Sequence, residues 1–113
     1  MVYCSDGDVR LVCGVAENII SSGDIGALIV FSDQAIDDYI GTAYTEPVPT
    51  RIQRLSALLT SIQIYSRPDL RFRLGKAGVD EQTIEQNLKR WQEEANKIFD
   101  YYVSRNSFQV FQS

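Results

Sequence analysis

Asp33, Asp37 and Asp38 crowd one short stretch, the first two at a four-residue step. On a helix that step stacks two carboxylates on one face, where a pair can hold Mg²⁺ or act as acid and base. The plainer reading is a solvated acidic face, and the rest of the composition favours it. The chain has 113 residues and no histidine, which removes the commonest general base and the commonest metal ligand. Ser-His-Asp and Cys-His nucleophile arrangements are therefore impossible. Two cysteines, Cys4 and Cys13, cannot make a four-thiolate zinc site or a disulfide framework. Cys13 follows Val9 and Val12 and reads as a small buried hydrophobe. The expectation is a protein that is not an enzyme and uses no cofactor or metal.

Arg67, Arg71, Arg73 and Lys76 form a second cluster, with Phe72 among them. Cations interleaved with an aromatic ring can hold nucleic acid by phosphate contact and stacking. They can equally dock an acidic protein patch, or be scattered solvated charge. Trp91, Tyr101 and Tyr102 suggest an aromatic box, but Trp91 fits a helical core stripe. Gly75 and Gly78 lack the spacing and the strand-to-helix context of a phosphate-binding loop.

The elements that must position these residues read as mainly α: a small four-helix domain with a long C-terminal helix, an extended loop and a β-prone C-terminal tail. Ser5 caps a short helix from about Asp6 to Cys13, and Gly14 stops it. "SSG" at 21–23 offers a turn. The second helix is expected over Asp24–Ala43, with Ile25, Leu28, Ile29, Ala35, Ile36, Tyr39, Ile40 and Ala43 as its stripe. Ala27, Val30 and Phe31 add apolar residues outside that stripe, as on a helix pressed between two surfaces. Pro47 and Pro49 stiffen the seam before a third helix, which starts at Thr50 and buries Ile52, Leu55, Leu58, Leu59, Ile62 and Tyr65. Asp80 caps the last helix, which runs to about Val103 with Ile84, Leu88, Trp91, Ala95 and Ile98 inward. Between them, residues 68–78 alternate Leu70, Phe72 and Leu74 with Arg71 and Arg73, the period of a half-buried strand. Phe108, Val110 and Phe111 make the tail 104–113 β-prone, and both runs read as interaction arms.

Charge is unevenly placed. Residues 1–50 carry −7, residues 51–76 carry +5, and residues 77–113 carry −2. Opposite patches on one body favour head-to-tail contact between copies, unless neighbouring helices neutralise each other within one subunit. A net charge of −4 speaks against gripping DNA or an anionic membrane with the whole surface. No apolar run approaches the roughly 18 residues of a membrane span. The start, "MVYCSDGDVR", lacks the charged and apolar regions of a signal peptide, so synthesis in the cytoplasm is expected.

The order of parts carries a resemblance. "AIDDYIG" at 35–41 ends a helix, Pro47 and Pro49 break the chain, "RIQRLSALLTSIQIY" follows, and a variable loop leads to a last helix with Arg90, Trp91, Ala95 and Ile98. Over residues 5–103 this resembles the head-to-tail connector (head-completion or adaptor) proteins of long-tailed bacteriophages. The resemblance implies a virion-neck protein forming a ring of about twelve copies beneath the portal. Such a ring extends the DNA channel, lets DNA pass without sequence-specific binding, and docks a stopper, a further connector or a tail protein. It implies contacts to portal and neighbours through Arg67, Arg71, Phe72, Arg73 and Lys76 and through Phe108, Val110 and Phe111. The alternative from charge alone is a small helical DNA-binding regulator using residues 51–76.

Overall fold

In the computed structural model, five helices follow one another: α1 (Asp6–Cys13), α2 (Ser22–Ile40), α3 (Thr50–Ser66), α4 (Pro68–Lys76) and α5 (Glu81–Gln112). The structure describes the backbone of residues 2–112 and the side chains of residues 2–104. The expectations for the tail, including Phe108, Val110 and Phe111, lie outside those side chains.

Local chemistry explains the helix ends. Ser5 and Asp8 form a reciprocal capping box, the Ser5 Oγ accepting from the Asp8 amide while the Asp8 carboxylate accepts from the Ser5 amide. Gly14 and Gly41 close α1 and α2 in the left-handed region, at φ 70° and 82°, where a side chain would be strained. The second helix begins earlier than its apolar pattern suggests. Ser21 accepts from the Asp24 amide, so "SSG" is a helix cap and first turn rather than a loop turn. Asp80 caps α5 by accepting from the Thr83 amide at 2.7 Å. The Glu46–Pro47 peptide before α3 is cis.

The helices assemble around α3, which touches each of the other four. Its inward set is wider than the predicted stripe. Ile52, Leu55, Leu58, Ile64 and Tyr65 are buried, and so are Ser56, Ala57, Thr60 and Ser61. The small residues let helices approach, and their hydroxyls are all bonded. Ser32 and Thr60 share a 2.8 Å hydrogen bond between α2 and α3, while Ser61 donates to its own helix at Ala57. From α5, Ile84, Leu88, Trp91 and Ala95 complete the core, and Trp91 meets Tyr65 edge-on at 4.8 Å. Cys13 is buried as expected, and the Tyr65 hydroxyl donates to its carbonyl.

Two expectations are corrected. Ala35, Tyr39 and Ala43 face solvent rather than the core; the buried stripe of α2 instead runs Ile25, Leu28, Ile29, Ser32, Asp33, Ile36 and Ile40. Residues 68–76 form a helix, not an extended strand. Leu70 and Leu74 satisfy both periods, because a four-residue step returns to one face in a helix and in a strand alike. Phe72 decides between them: it is 64% exposed, while the two leucines are buried. Pro68 at the first helical position, Asp69 in the first turn and Arg73 and Lys76 in the last all suit a short helix.

The two geometries predict opposite mutational results. Leu70→Ala should cost about 2–5 kcal/mol, and Phe72→Ala should stay within roughly 0.5 kcal/mol of wild type, read from urea unfolding midpoints. A strand with Phe72 inside would make Phe72→Ala the costly change.

Candidate functional site

The predicted basic cluster lies on α4 and the residue before it. Leu70 and Leu74 anchor this helix against the core, so its outer face presents Phe72 and Lys76. Lys76 Nζ sits 4.8 Å from the centre of the Phe72 ring, a cation on an aromatic face. A shallow depression of about 470 Å³ lies elsewhere, between α3 and α5; the one beside Phe72 is larger, about 780 Å³, and is bordered by Pro68, Arg71, Gly75 and Glu81.

The three arginines of the cluster are committed within the subunit. Arg71 reaches across to α5 and pairs with Glu81 and Glu85, each at 2.5 Å. Arg67 pairs with Asp69 at 3.2 Å. Arg73 donates to the Ile19 carbonyl at 3.0 Å and ties α4 to the segment between α1 and α2. These exposed pairs contribute little stability each, but they orient the cations inward along the surface. The free docking chemistry of the cluster is therefore Phe72 with Lys76, and the arginines mainly hold the platform in place.

The acidic trio separates. Asp33 is 7% exposed, Asp37 is half-buried, and only Asp38 is fully on the surface. The expected acidic face is thus corrected to one exposed carboxylate and a buried network. Asp33 accepts from the Tyr3 amide at 2.8 Å and from the Ser56 hydroxyl at 2.7 Å. The Tyr3 hydroxyl donates to Asp37 and accepts from the Tyr44 amide at 2.9 Å. This network fastens the first residues and the start of the Pro-rich connector to α2 and α3. Cys4 lies beside it, its sulfur 3.2 Å from the Ser56 oxygen, and burial pushes its thiol up to about 11. Such a thiol stays protonated and inert at neutral pH.

Tyr3 and Ser56 were missing from the sequence reading, which named Cys4 only in excluding a zinc site and a disulfide framework. One signal for the network was present: Asp33 falls four residues after Ile29 and three before Ile36, in the buried register of α2. Of the aromatic trio, Trp91 is core. Tyr101 and Tyr102 meet edge-on at 5.0 Å, and Arg51 stacks over the Tyr101 ring at 4.2 Å.

Comparison of the chain with family models, with curated proteins and with solved structures finds no match. Its own geometry is what bears on function. Every buried side-chain polar atom among the described residues is bonded, whereas Phe31 and Phe72 are 63% and 64% exposed on separate helices.

Burial holds the Asp33 carboxyl above its ordinary range, and the neighbouring Asp37 charge adds in the same direction, against the donors Ser56 and Tyr3. The folded value then exceeds the unfolded one of about 3.9, so the folded chain binds the extra proton. Stability from this residue is greatest below the unfolded value and falls as pH rises through the raised folded value. The unfolding free energy of wild type relative to Asp33→Asn should therefore decrease as pH is raised from the acid side of that window toward neutrality. An increase would mean that the hydrogen-bond donors outweigh burial.

Proposed function

We propose that this chain is a structural assembly subunit, a head-to-tail connector that forms a ring beneath the portal of a long-tailed bacteriophage and joins it to a stopper or tail component. The observation that carries this reading is the contrast between a closed interior and an open exterior. The core leaves no buried side-chain polar atom unbonded among the described residues. Yet large apolar side chains face outward on α1, α2 and α4: Leu11, Phe31 and Phe72. Scattered single exposures are normal, but here two of them sit beside shaped surfaces, Phe72 at a depression and Phe31 within an apolar strip. The order of helices and the Pro-rich seam, which resemble connector proteins, support the same reading.

Docking to a portal would fall to Phe72 and Lys76 on the exposed face of α4. No helix of the described residues is long and apolar enough to cross a membrane. The DNA-regulator reading loses ground, because Arg54, Arg67 and Arg71 of the basic segment all carry ion pairs within the chain. Phosphate binding at those positions would first have to break them.

Co-expression with the portal of the same phage should give rings visible by electron microscopy and a stable co-purifying complex. The double variant Phe72→Ala, Lys76→Glu should lose the complex while its circular dichroism and unfolding midpoint stay those of wild type. Full retention of the complex by that folded variant would overturn the docking role of α4. Specific binding to duplex DNA that survives physiological salt would favour the regulator instead.

A further inference from the structure

The exposed side of α2 carries an ordered strip: Asp24, Ala27, Phe31, Ala35 and Asp38. Steps of three and four residues keep all five on one face, with a carboxylate at each end and apolar side chains between. Val30, 47% exposed, widens the strip at its side. No ion pair within the described residues engages Asp24 or Asp38.

A surface of complementary character lies between α3 and α5. It is a groove of about 470 Å³, with Ile98 and Tyr101 as its apolar part and Arg51, Arg54 and Lys97 around it. Arg54 pairs with Glu94 at 2.6 Å, whereas Arg51 lies over Tyr101 and Lys97 has no ion pair among the described residues. The groove is therefore apolar within and cationic at its margin. The strip is apolar within and anionic at its ends.

The ion-pair pattern argues that the two surfaces are meant for different molecules. Arg10 is the sole cation of residues 1–50, and it takes Asp6 and Glu17. Of the basic segment, Arg54, Arg67 and Arg71 pair with acids of residues 69–94. Among the described residues, no ion pair joins the acidic first half of the chain to the basic segment that follows it. The charge asymmetry read from the sequence thus survives folding.

Nor can the strip reach the groove of its own subunit. Thr60 faces α2 through its bond to Ser32, and Arg51 faces the groove. Nine residues at 3.6 per turn place these two positions about 180° apart around α3. The strip lies on the face of α2 turned away from the core, so it cannot fold back into the groove that α3 forms with α5.

We propose that the α2 strip of one copy docks into the α3–α5 groove of the next, with Phe31 against Ile98 and Tyr101 and with Asp24 and Asp38 against Arg51 and Lys97. Such a contact is heterologous, and repetition closes a ring or runs on as a filament. Its size sets its strength. A strip about 21 Å long and one helix, about 10 Å, wide covers roughly 200 Å², a quarter of the ~800 Å² per partner of a standard interface. One contact alone is weak. A closed ring, in which every copy uses both surfaces, holds by multivalency. The inference takes its biological setting from the ring reading above, and its test separates the two.

The test is a charge exchange followed by sedimentation velocity. One variant carries Asp24→Lys and Asp38→Lys; the other carries Arg51→Glu and Lys97→Glu. All four positions are exposed, so both variants should stay folded; Asp24→Lys, which puts a cation in the first turn of α2, should lower the unfolding midpoint only slightly. Each alone should associate at least about tenfold more weakly than wild type, and an equimolar mixture should recover assembly, because each variant then offers its partner a matched surface. Wild-type assembly that persists unchanged in both variants overturns this contact and leaves the ring reading standing. Assembly lost in both variants and not recovered on mixing overturns the pairing of these two surfaces. A wild type that stays monomeric at all concentrations, but forms a complex once portal is added, assigns the strip to that partner and overturns self-docking. Monomers under both conditions overturn the contact and the ring reading together.

Discussion

One helix, α3, must be covered around most of its circumference beyond its first turns, and the fold follows from that constraint. Nine residues of α3 are buried, and they point around most of its circumference. Tyr65 meets Trp91 of α5 and donates to the Cys13 carbonyl of α1, while Ser56 and Thr60 bond across to Asp33 and Ser32 of α2. Between Leu55 and Tyr65 most of this helix is shut off from water, so each buried hydroxyl on it needs a partner, and each has one. The four surrounding helices spend one face on α3 and keep another outside. That division leaves apolar side chains outward on α2 and α4, where no fifth neighbour arrives.

Electrostatics follows the same geometry. The Pro-rich seam separates an acidic half from a basic segment in sequence, and among the described residues no ion pair joins the two in the fold. Neutralisation of the basic residues comes from α5 and from Asp69, through Arg54 with Glu94 and Arg71 with Glu81 and Glu85. The first half has only Arg10, which is spent on Asp6, Glu17 and the carbonyls of Val15 and Ile20. Intramolecular pairing, the ordinary outcome for a small domain, takes up Arg54, Arg67 and Arg71 of the basic segment and leaves Asp24 and Asp38 of the first half without an ion pair among the described residues. Surface charge of this kind adds little to stability. It steers association and selects orientation.

Much of this was legible in the residues. Ser5, Gly14, Gly41, Pro68 and Asp80 mark their boundaries by cap and breaker chemistry that acts within a few residues, so no tertiary information is needed. The stripe of α5 was equally clear, because Ile84, Leu88, Trp91 and Ala95 repeat at helical steps with polar residues between. Three features were not legible, each for a physical reason. Residues 68–76 present leucines four apart, a spacing that helix and strand share. Asp33 is a charged residue in a core register, and its burial depends on donors from Tyr3 and Ser56, 30 and 23 residues away. The small polar residues of α3 look like surface until a second helix is placed against them. The site fared less well than the fold: the positions on α4 were found, but which cations are free depended on α5 carboxylates that sequence distance hid.

Fluorine NMR of protein labelled with fluorophenylalanine, followed through a concentration series, tests most directly whether the interior is closed and the exterior awaits other copies. The Phe31 resonance should shift or broaden as protein is concentrated and the Phe72 resonance when portal protein is added, while Phe99, packed against Tyr39 within the subunit, should stay in place. Resonances of Phe31 and Phe72 that are unmoved across the series, with portal protein added as well, would contradict it.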